Sequence, residues 1–285
     1  MIAYLDTNVF DHLYKKVGCT SADIAGLRKA IYGRDLSISL GIQVLEELLL
    51  NRKVSPQELV ARVKLTLSLA SIRRMVKPCD QLIADDIRSY AATGEPDRPL
   101  VNVQIQNAIT QGIAELIESD GEEFSEEIAA ALEDTKRRKE RFVQGMKVSL
   151  REIASLVAAV PANIGFDDYF QIAAPQVTER LAQRAGVLEA SRERGIDGLL
   201  KIRSVRAAIG IALSYIYGQS FEGWAPASGD SIDYLHAPSA AASAEVFVSD
   251  DSRLREALAR IPLDNLRIMS LAEFLSVCGA NGETD

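Results

Sequence analysis

The residues of this chain best suited to chemistry are carboxylates at the ends of short apolar runs. Asp6 directly follows Ile2-Ala3-Tyr4-Leu5, and Asp250-Asp251 follow Val246-Phe247-Val248 after one serine. Glu46 and Glu47 stand one to two turns beyond Leu36-Ser37-Ile38-Ser39-Leu40, whose period-two alternation between Gly33 and Gly41 reads as a strand. Asp233 lies in Asp230-Ser231-Ile232-Asp233-Tyr234-Leu235-His236, shortly before the Val246 run. Ligands of a parallel sheet gather beyond the carboxyl ends of its strands, so these acids are placed to converge. Clustered carboxylates repel and raise one another's pKa unless a cation intervenes. Hard ions such as Mg²⁺ or Mn²⁺ prefer all-oxygen ligands and lower the pKa of a bound water. The chemistry implied is metal-assisted phosphoryl transfer. No serine, cysteine or histidine stands in a pattern that would suggest a covalent route.

The elements that must position these acids lie at the two ends of the sequence. Ile2 to Leu5, Leu36 to Leu40, Val246 to Val248 and Leu266 to Met269 are the candidate strands. Ser270-Leu271-Ala272-Glu273 has capping-box spacing and opens a last helix that ends near Gly279. Strands alternating with helices predict an α/β fold with a mostly parallel sheet covered on both faces. Between about Asn51 and Trp224 almost no strand signal is found. Ser55-Pro56-Gln57-Glu58 carries a cap, a first-turn proline and a capping-box Glu. From near Asp120, Phe124, Ile128, Ala131, Thr135, Phe142, Met146, Leu150, Ile153, Val157 and Val160 recur at steps of three, four or seven residues before Pro161. This predicts a helix on the order of 55–60 Å long, with Leu181 to Tyr217 as its helical partner. The expected organisation is therefore a discontinuous α/β core, 1–51 with 225–285, and an all-helical insertion over 52–224.

The bulk composition sets outer limits. A chain of 285 residues, 47% hydrophobic and 25% charged, has ample apolar sequence for a core. No apolar stretch is long enough to span a membrane, and Met1 to Asp6 reads as a strand rather than a signal peptide. Cys19, Cys79 and Cys278 are odd in number and far apart, which fits a reducing, cytoplasmic setting. With only His12 and His236 and no Cys-x-x-Cys, a structural zinc site is not expected. The net charge of −8 does not exclude a nucleic-acid partner, because binding depends on local patches.

Leu5-Asp6-Thr7-Asn8-Val9-Phe10 resembles the N-terminal motif of PIN-domain nucleases. Ile38 through Leu48 resembles that family's second motif, a serine-bearing strand followed by a helix carrying a ligand Glu. Asp233-Tyr234-Leu235-His236-Ala237-Pro238 resembles the third-acid segment of larger members, and Val246 through Leu254 resembles the fourth motif. The motif order and strand placement agree over about 50 residues at each end. The resemblance implies a PIN-like α/β/α sandwich and Mg²⁺- or Mn²⁺-dependent endoribonucleolytic hydrolysis. It implies that Asp6, Glu47, Asp233 and Asp251 are the metal ligands and catalytic acids. Glu47 is selected over Glu46 by the apolar residue after it, and Asp251 over Asp250 by its spacing from Ser249. Thr7, Asn8, Ser249, Asp250 and His236 become supporting residues. RNA is the implied substrate, and many small relatives are toxins with a protein inhibitor. An antitoxin-like partner and a homo-oligomer are left open.

Each of these residues also has a plainer reading. Asp6 is well placed to cap a helix, Glu46 reads as a solvated helix residue, and Asp250 as a loop residue or a partner of the ligands. Asp230 and Asp233 have cap spacing, and His236 reads first as a satisfied structural histidine. Asp167-Asp168 reads as a loop or cap pair. Lys136, Arg137, Arg138, Lys139 and Arg141 form the densest basic cluster, either a phosphate-contacting ridge or a solvated face. Arg192, Arg194, Lys201, Arg203 and Arg206 form a weaker one. Tyr215, Tyr217, Phe221 and Trp224 offer base-stacking surfaces or, more simply, core. Two other functions compete. A haloacid-dehalogenase-like phosphatase would need a second Asp where Asn8 stands. A catalytically silent scaffold would bind RNA or protein through its helical part.

Overall fold

A computed structural model describes residues 1–50, 54–120, 164–225 and 230–279 and part of 130–155, with side chains left out at 230–234. Among the described residues five strands form one sheet: β1 (Ile2–Leu5), β2 (Ser37–Gly41), β3 (Ser71–Val76), β4 (Val246–Val248) and β5 (Arg267–Met269). Their order is β3-β2-β1-β4-β5, and every pairing is parallel. Ala3 of the central strand pairs Ile38 on one side and Val246 on the other. β1 and β4 are apolar along their length and almost fully buried, as strands covered on both faces must be. Burying a side chain the size of Phe247 contributes about 1.5–3 kcal/mol.

Four of the strands fall where the alternation and apolar runs place them. β3 does not: it lies inside the segment expected to be all-helical, so the sheet draws on 52–224 as well as on the two ends. Its pairing with β2 shifts register between Ser39 and Leu40, and its far side is partly covered by Leu100, which bridges Val76 in antiparallel fashion.

The first half contributes α1 (Thr7–Lys15), α2 (Ser21–Tyr32), α3 (Ile42–Leu50), α4 (Pro56–Leu69), α5 (Cys79–Thr93) and α6 (Val103–Glu118). The second contributes α7 (Phe166–Arg184), α8 (Leu188–Arg194), α9 (Arg203–Phe221), α10 (Asp230–Ser243), α11 (Ser252–Ala259) and α12 (Leu271–Gly279). Helices α1–α4 pack with one another and, through α2, with α12, while α5, α9, α10 and α11 form the other group. The result is a layered α/β fold with a helical middle region. Among the described residues no helix is long and apolar enough to cross a membrane.

The expected caps explain several helix starts. Ser55 accepts the Glu58 N–H (3.2 Å) ahead of Pro56. The Glu58 carboxylate turns to the buried Arg62 (3.0 Å), which also binds Asp11 and so ties α4 to α1. Ser270 and Glu273 close the expected capping box at α12 (2.7 and 3.3 Å). Asp167 and Asp168 sit in the first turn of α7, where negative charge is favourable. Leu181 to Tyr217 is not one helix. Gly186 and Gly195 adopt φ of +75° and +98°, which ends α7 and α8, and a 3₁₀ turn at Ile196–Lys201 leads into α9. The long helix expected from Asp120 lies largely outside the described residues.

One apolar core surrounds the sheet, and a second joins α5, α7 and α9 through Ile87, Tyr169, Phe170, Leu199, Ile209 and Leu213. The aromatic residues weighed for base stacking are packed. Tyr217 lies 5.0 Å from Phe221 and 5.4 Å from Tyr169 between ring centroids. Trp224 meets Tyr215 edge-on at 5.8 Å and carries the guanidinium groups of Arg253 and Arg260 at 4.9 and 4.8 Å.

Candidate functional site

The chain runs β1 to β2 to β3 in one direction across the sheet and continues through β4 and β5 in the other. The carboxyl ends of β1 and β4 therefore border a topological switch point, where parallel α/β sheets bind ligands. Asp6 stands there. Its N–H donates to Val248 O (3.0 Å), continuing the β1–β4 ladder by one residue. Its carboxylate caps α1, accepting the Thr7 N–H (2.6 Å) on Oδ1. Oδ2 accepts Asn8 Nδ2 (2.9 Å) and Ser249 Oγ (2.8 Å). The two ends of the sequence are thus joined through one buried carboxylate. Burial raises the Asp6 pKa and nearby Glu47 adds to the rise, while His236 and the Ser249 hydroxyl oppose it.

Glu47 reaches this point from the second turn of α3, which begins directly after β2. Gln43, four residues earlier on the same face, is buried and donates to Leu235 O (2.8 Å) and Ser239 Oγ (2.9 Å) of α10. That fastening turns the Gln43/Glu47 face of α3 toward α10, and Glu47 Oε1 lies 3.3 Å from His236 Nε2. Glu46 is not the solvated residue the sequence suggests: it is only 9% exposed. Burial holds the Tyr4 hydroxyl well above its usual pKa, and the charges of Asp6, Glu47 and Glu46 add to the rise.

His236 is fully buried between Tyr4 and the two carboxylates. Its Nδ1 lies 3.0 Å from the Tyr4 hydroxyl, and its Nε2 is 3.3 Å from Glu47 and 3.6 Å from Asp6. The Tyr4 hydroxyl and Nδ1 share one hydrogen bond, and the other ring nitrogen, Nε2, faces the two acids. A Cβ at residue 41 would collide with the Tyr4 hydroxyl, so Gly41 is required for this arrangement. Tyr4 and Gln43 were not among the residues singled out from sequence. A tyrosine in an apolar strand reads as core, and the one signal for Gln43 was a helical turn's spacing from Glu47.

The remaining candidates are placed less centrally. Asp251 is exposed and caps α11, its Oδ1 accepting the Leu254 N–H (2.9 Å). Its N–H donates to Ser249 Oγ (3.2 Å), so one hydroxyl lies between Asp251 and Asp6. Asp250 binds His12 Nδ1 (2.6 Å) and accepts the Leu271 N–H (2.9 Å), bracing α1 and α12. Asn8 Oδ1 accepts the Asp250 N–H (3.4 Å). Thr7 Oγ1 is buried without a partner among the described residues, so only its backbone supports Asp6. Asp233 falls in α10, one turn before His236, and its side chain lies outside the described residues. Among the described residues no group of three or more His, Cys, Asp or Glu is arranged to hold a metal ion.

Of the main basic cluster, Lys136, Arg137 and Arg141 are exposed on a helix, with Arg137 3.6 Å from Glu133, and Arg138 and Lys139 lie outside the described residues. Much of the weaker cluster is engaged by the fold: Arg192 pairs with Glu179 and Glu189, Arg194 binds the Ala91 and Ala92 carbonyls, and Arg206 lies over Phe170. No family model, curated protein or solved structure matches the chain.

Proposed function

We propose that the chain is a metal-dependent endoribonuclease whose reaction takes place at the carboxyl ends of β1 and β4. The observation that carries this reading is the pairing of Asp6 and Glu47 around His236 at the switch point of the parallel sheet. The resemblance to PIN-domain nucleases supports it, since Asp6, Asn8 and Ser249 are bonded to one another. Two neighbouring carboxylates suit Mg²⁺ or Mn²⁺, which commonly bind through one or two protein carboxylates, with water and substrate phosphate completing the shell. Asp6 and Glu47 would hold the ion, with Asp233 and Asp251 as the further ligands that the resemblance implies. Bound there, it would lower the pKa of a water and stabilise charge on the scissile phosphate. Ser249 and Asn8 hold Asp6 Oδ2, while Oδ1 accepts the Thr7 N–H and lies 3.6 Å from His236 Nε2. His236 Nε2 lies between both acids, 3.3 Å from Glu47 and 3.6 Å from Asp6.

RNA cleavage assayed across Mg²⁺, Mn²⁺, Ca²⁺ and EDTA, on single-stranded and structured RNA, tests the proposal. Activity should require Mg²⁺ or Mn²⁺ and be lost in Asp6→Asn protein; undiminished cleavage by that variant refutes the mechanism. A second reading, a silent scaffold that binds RNA or protein, draws on the lack of a three-donor metal group among the described residues. RNA binding without cleavage under every metal condition would favour it.

A further inference from the structure

At the other end of α10, a cavity of about 1000 Å³ opens beside the edge strand β3. Seven residues of α10 separate His236 from Ser243 at the cavity wall, on the order of 10 Å along the helix. Five cations line it: the neighbours Arg73 and Arg74 on β3, Lys77 just after it, Arg98 from the following loop, and Arg203 from the start of α9. Two carboxylates share the wall, and both are occupied. Asp97 binds Lys77, which also meets Asp85 at 2.9 Å, and Glu245 accepts the Ile2 N–H (2.9 Å). Lys77 is thereby neutralised by the fold. Arg203 donates to Ala244 O (2.8 Å) with the Asp264 and Glu245 charges nearby, and Arg98 lies within the field of Asp97; Arg73, Arg74 and Arg98 have no ion pair among the described residues. In a chain of net charge −8 this leaves four guanidinium groups around one concavity.

Arginines on an edge strand often serve only to prevent unwanted strand pairing. That role needs charges spread along the edge. It does not need them gathered with arginines from a loop and a helix start. The rim carries a second feature, the exposed aliphatic side chains Val103 and Ile105, 68% and 38% accessible, at the start of α6. Guanidinium forks match phosphate oxygens, and an aliphatic shelf suits the flat face of a base. We infer that this cavity is a nucleotide-binding site, taking phosphate on Arg73, Arg74, Arg98 and Arg203 and a base against Val103 and Ile105. The occupant is either a unit of single-stranded RNA or a free nucleotide. The inference does not depend on cleavage.

The test is binding in EDTA, read by fluorescence anisotropy with a short fluorescein-labelled single-stranded RNA and, separately, by calorimetry with ATP. The Arg73→Glu/Arg98→Glu double variant changes two exposed side chains. It should weaken binding of one of these ligands at least about tenfold at low salt. For RNA it should also lower the slope of log affinity against log salt by about 1–1.5. Reversal of Arg137 and Arg141 should have the smaller effect. Loss of RNA affinity assigns the site to a polynucleotide, and loss of ATP affinity alone assigns it to a free nucleotide. Unchanged affinity in the double variant, or no binding of either ligand by the wild type, overturns the inference. Arg73→Gln/Arg98→Gln provides the same comparison if the reversal disturbs folding, which the melting temperature reports.

Discussion

Two buried carboxylates, Asp6 and Asp86, are held in nearly the same way and stand in different company. Each accepts a serine hydroxyl from a distant segment, Ser249 for Asp6 and Ser204 for Asp86. Each also accepts a backbone N–H, from Thr7 and from Asp97 respectively. Burial raises both pKa values, that of Asp86 to about 6. Asp86, however, sits between α5 and the start of α9 with the Lys77 cation nearby, as in a structural polar contact. Asp6 stands at the strand ends beside a second carboxylate and a histidine. A perturbed carboxylate alone therefore does not mark a working site, because structural networks perturb pKa too. Both acids have a like charge nearby, Glu47 for Asp6 and Asp97 for Asp86, so the histidine shared with Glu47 and the place at the sheet's switch point are what separate the two.

The largest expected effect tests that separation directly. Asp6→Asn should reduce metal-dependent RNA cleavage by at least about 100-fold, the scale for losing a metal-organising group. Asp86→Asn, assayed well below its melting temperature, should stay within a fewfold of wild type. Equal losses in both variants would erase the distinction. The same contrast can be drawn between adjacent residues. Glu47→Gln should cost on the order of 100-fold in turnover and Glu46→Gln only a fewfold, because Glu47 shares the Gln43 face of α3 that meets His236. A dead Glu46→Gln enzyme beside an active Glu47→Gln enzyme would move the reacting group by one residue.

The two carboxylates also differ in how far they could be read from sequence. Asp6 and Ser249 were legible because each follows an apolar run, and strand ends are where a parallel sheet presents side chains. Asp86 was invisible, since an aspartate inside α5 carries no local sign that a loop and a distant helix start will enclose it. β3 was missed for a physical reason: Arg73 and Arg74 interrupt its apolar pattern, and an edge strand tolerates them. The burial of Glu46 was missed because helical spacing gives a direction around the axis and not the depth of the neighbours. His236 was recognised as a neighbour of Asp233, but its contact with Tyr4 depends on Gly41, which sequence marks only as a strand boundary.

A smaller effect is the pH dependence of stability. The Asp86 pKa is raised from 3.8 to about 6, chiefly by burial and against the pull of Ser204, the Asp97 N–H and Lys77. The folded state then binds the proton more tightly than the unfolded chain does. Its contribution to stability is full below about pH 4 and is lost as pH rises through about 6. Relative to Asp86→Asn, the wild type should lose on the order of 3 kcal/mol between these values. Denaturation by urea at several pH values measures the difference, and other carboxylates largely cancel in the comparison. Parallel stability curves for the two proteins would mean that Asp86 is not the strained charge described above.

The smallest effect comes from the serines that hold the two acids. Removing a hydroxyl that donates to a buried carboxylate leaves an acceptor less satisfied and costs about 1–3 kcal/mol. Ser204→Ala and Ser249→Ala should therefore lower stability by similar amounts at neutral pH. They should part in two other measurements. Ser204→Ala should move the pH midpoint of the Asp86 effect upward, because a donor to the ionised form is gone, and leave turnover near wild type. Ser249→Ala should leave that midpoint in place and lower turnover severalfold, because Ser249 holds Asp6 Oδ2 and also accepts the Asp251 N–H. Chemical denaturation and cleavage rates on the same preparations measure both. If Ser249→Ala loses stability but keeps full turnover, Asp6 does not need its Oδ2 held in place, and the part assigned to Ser249 is only structural.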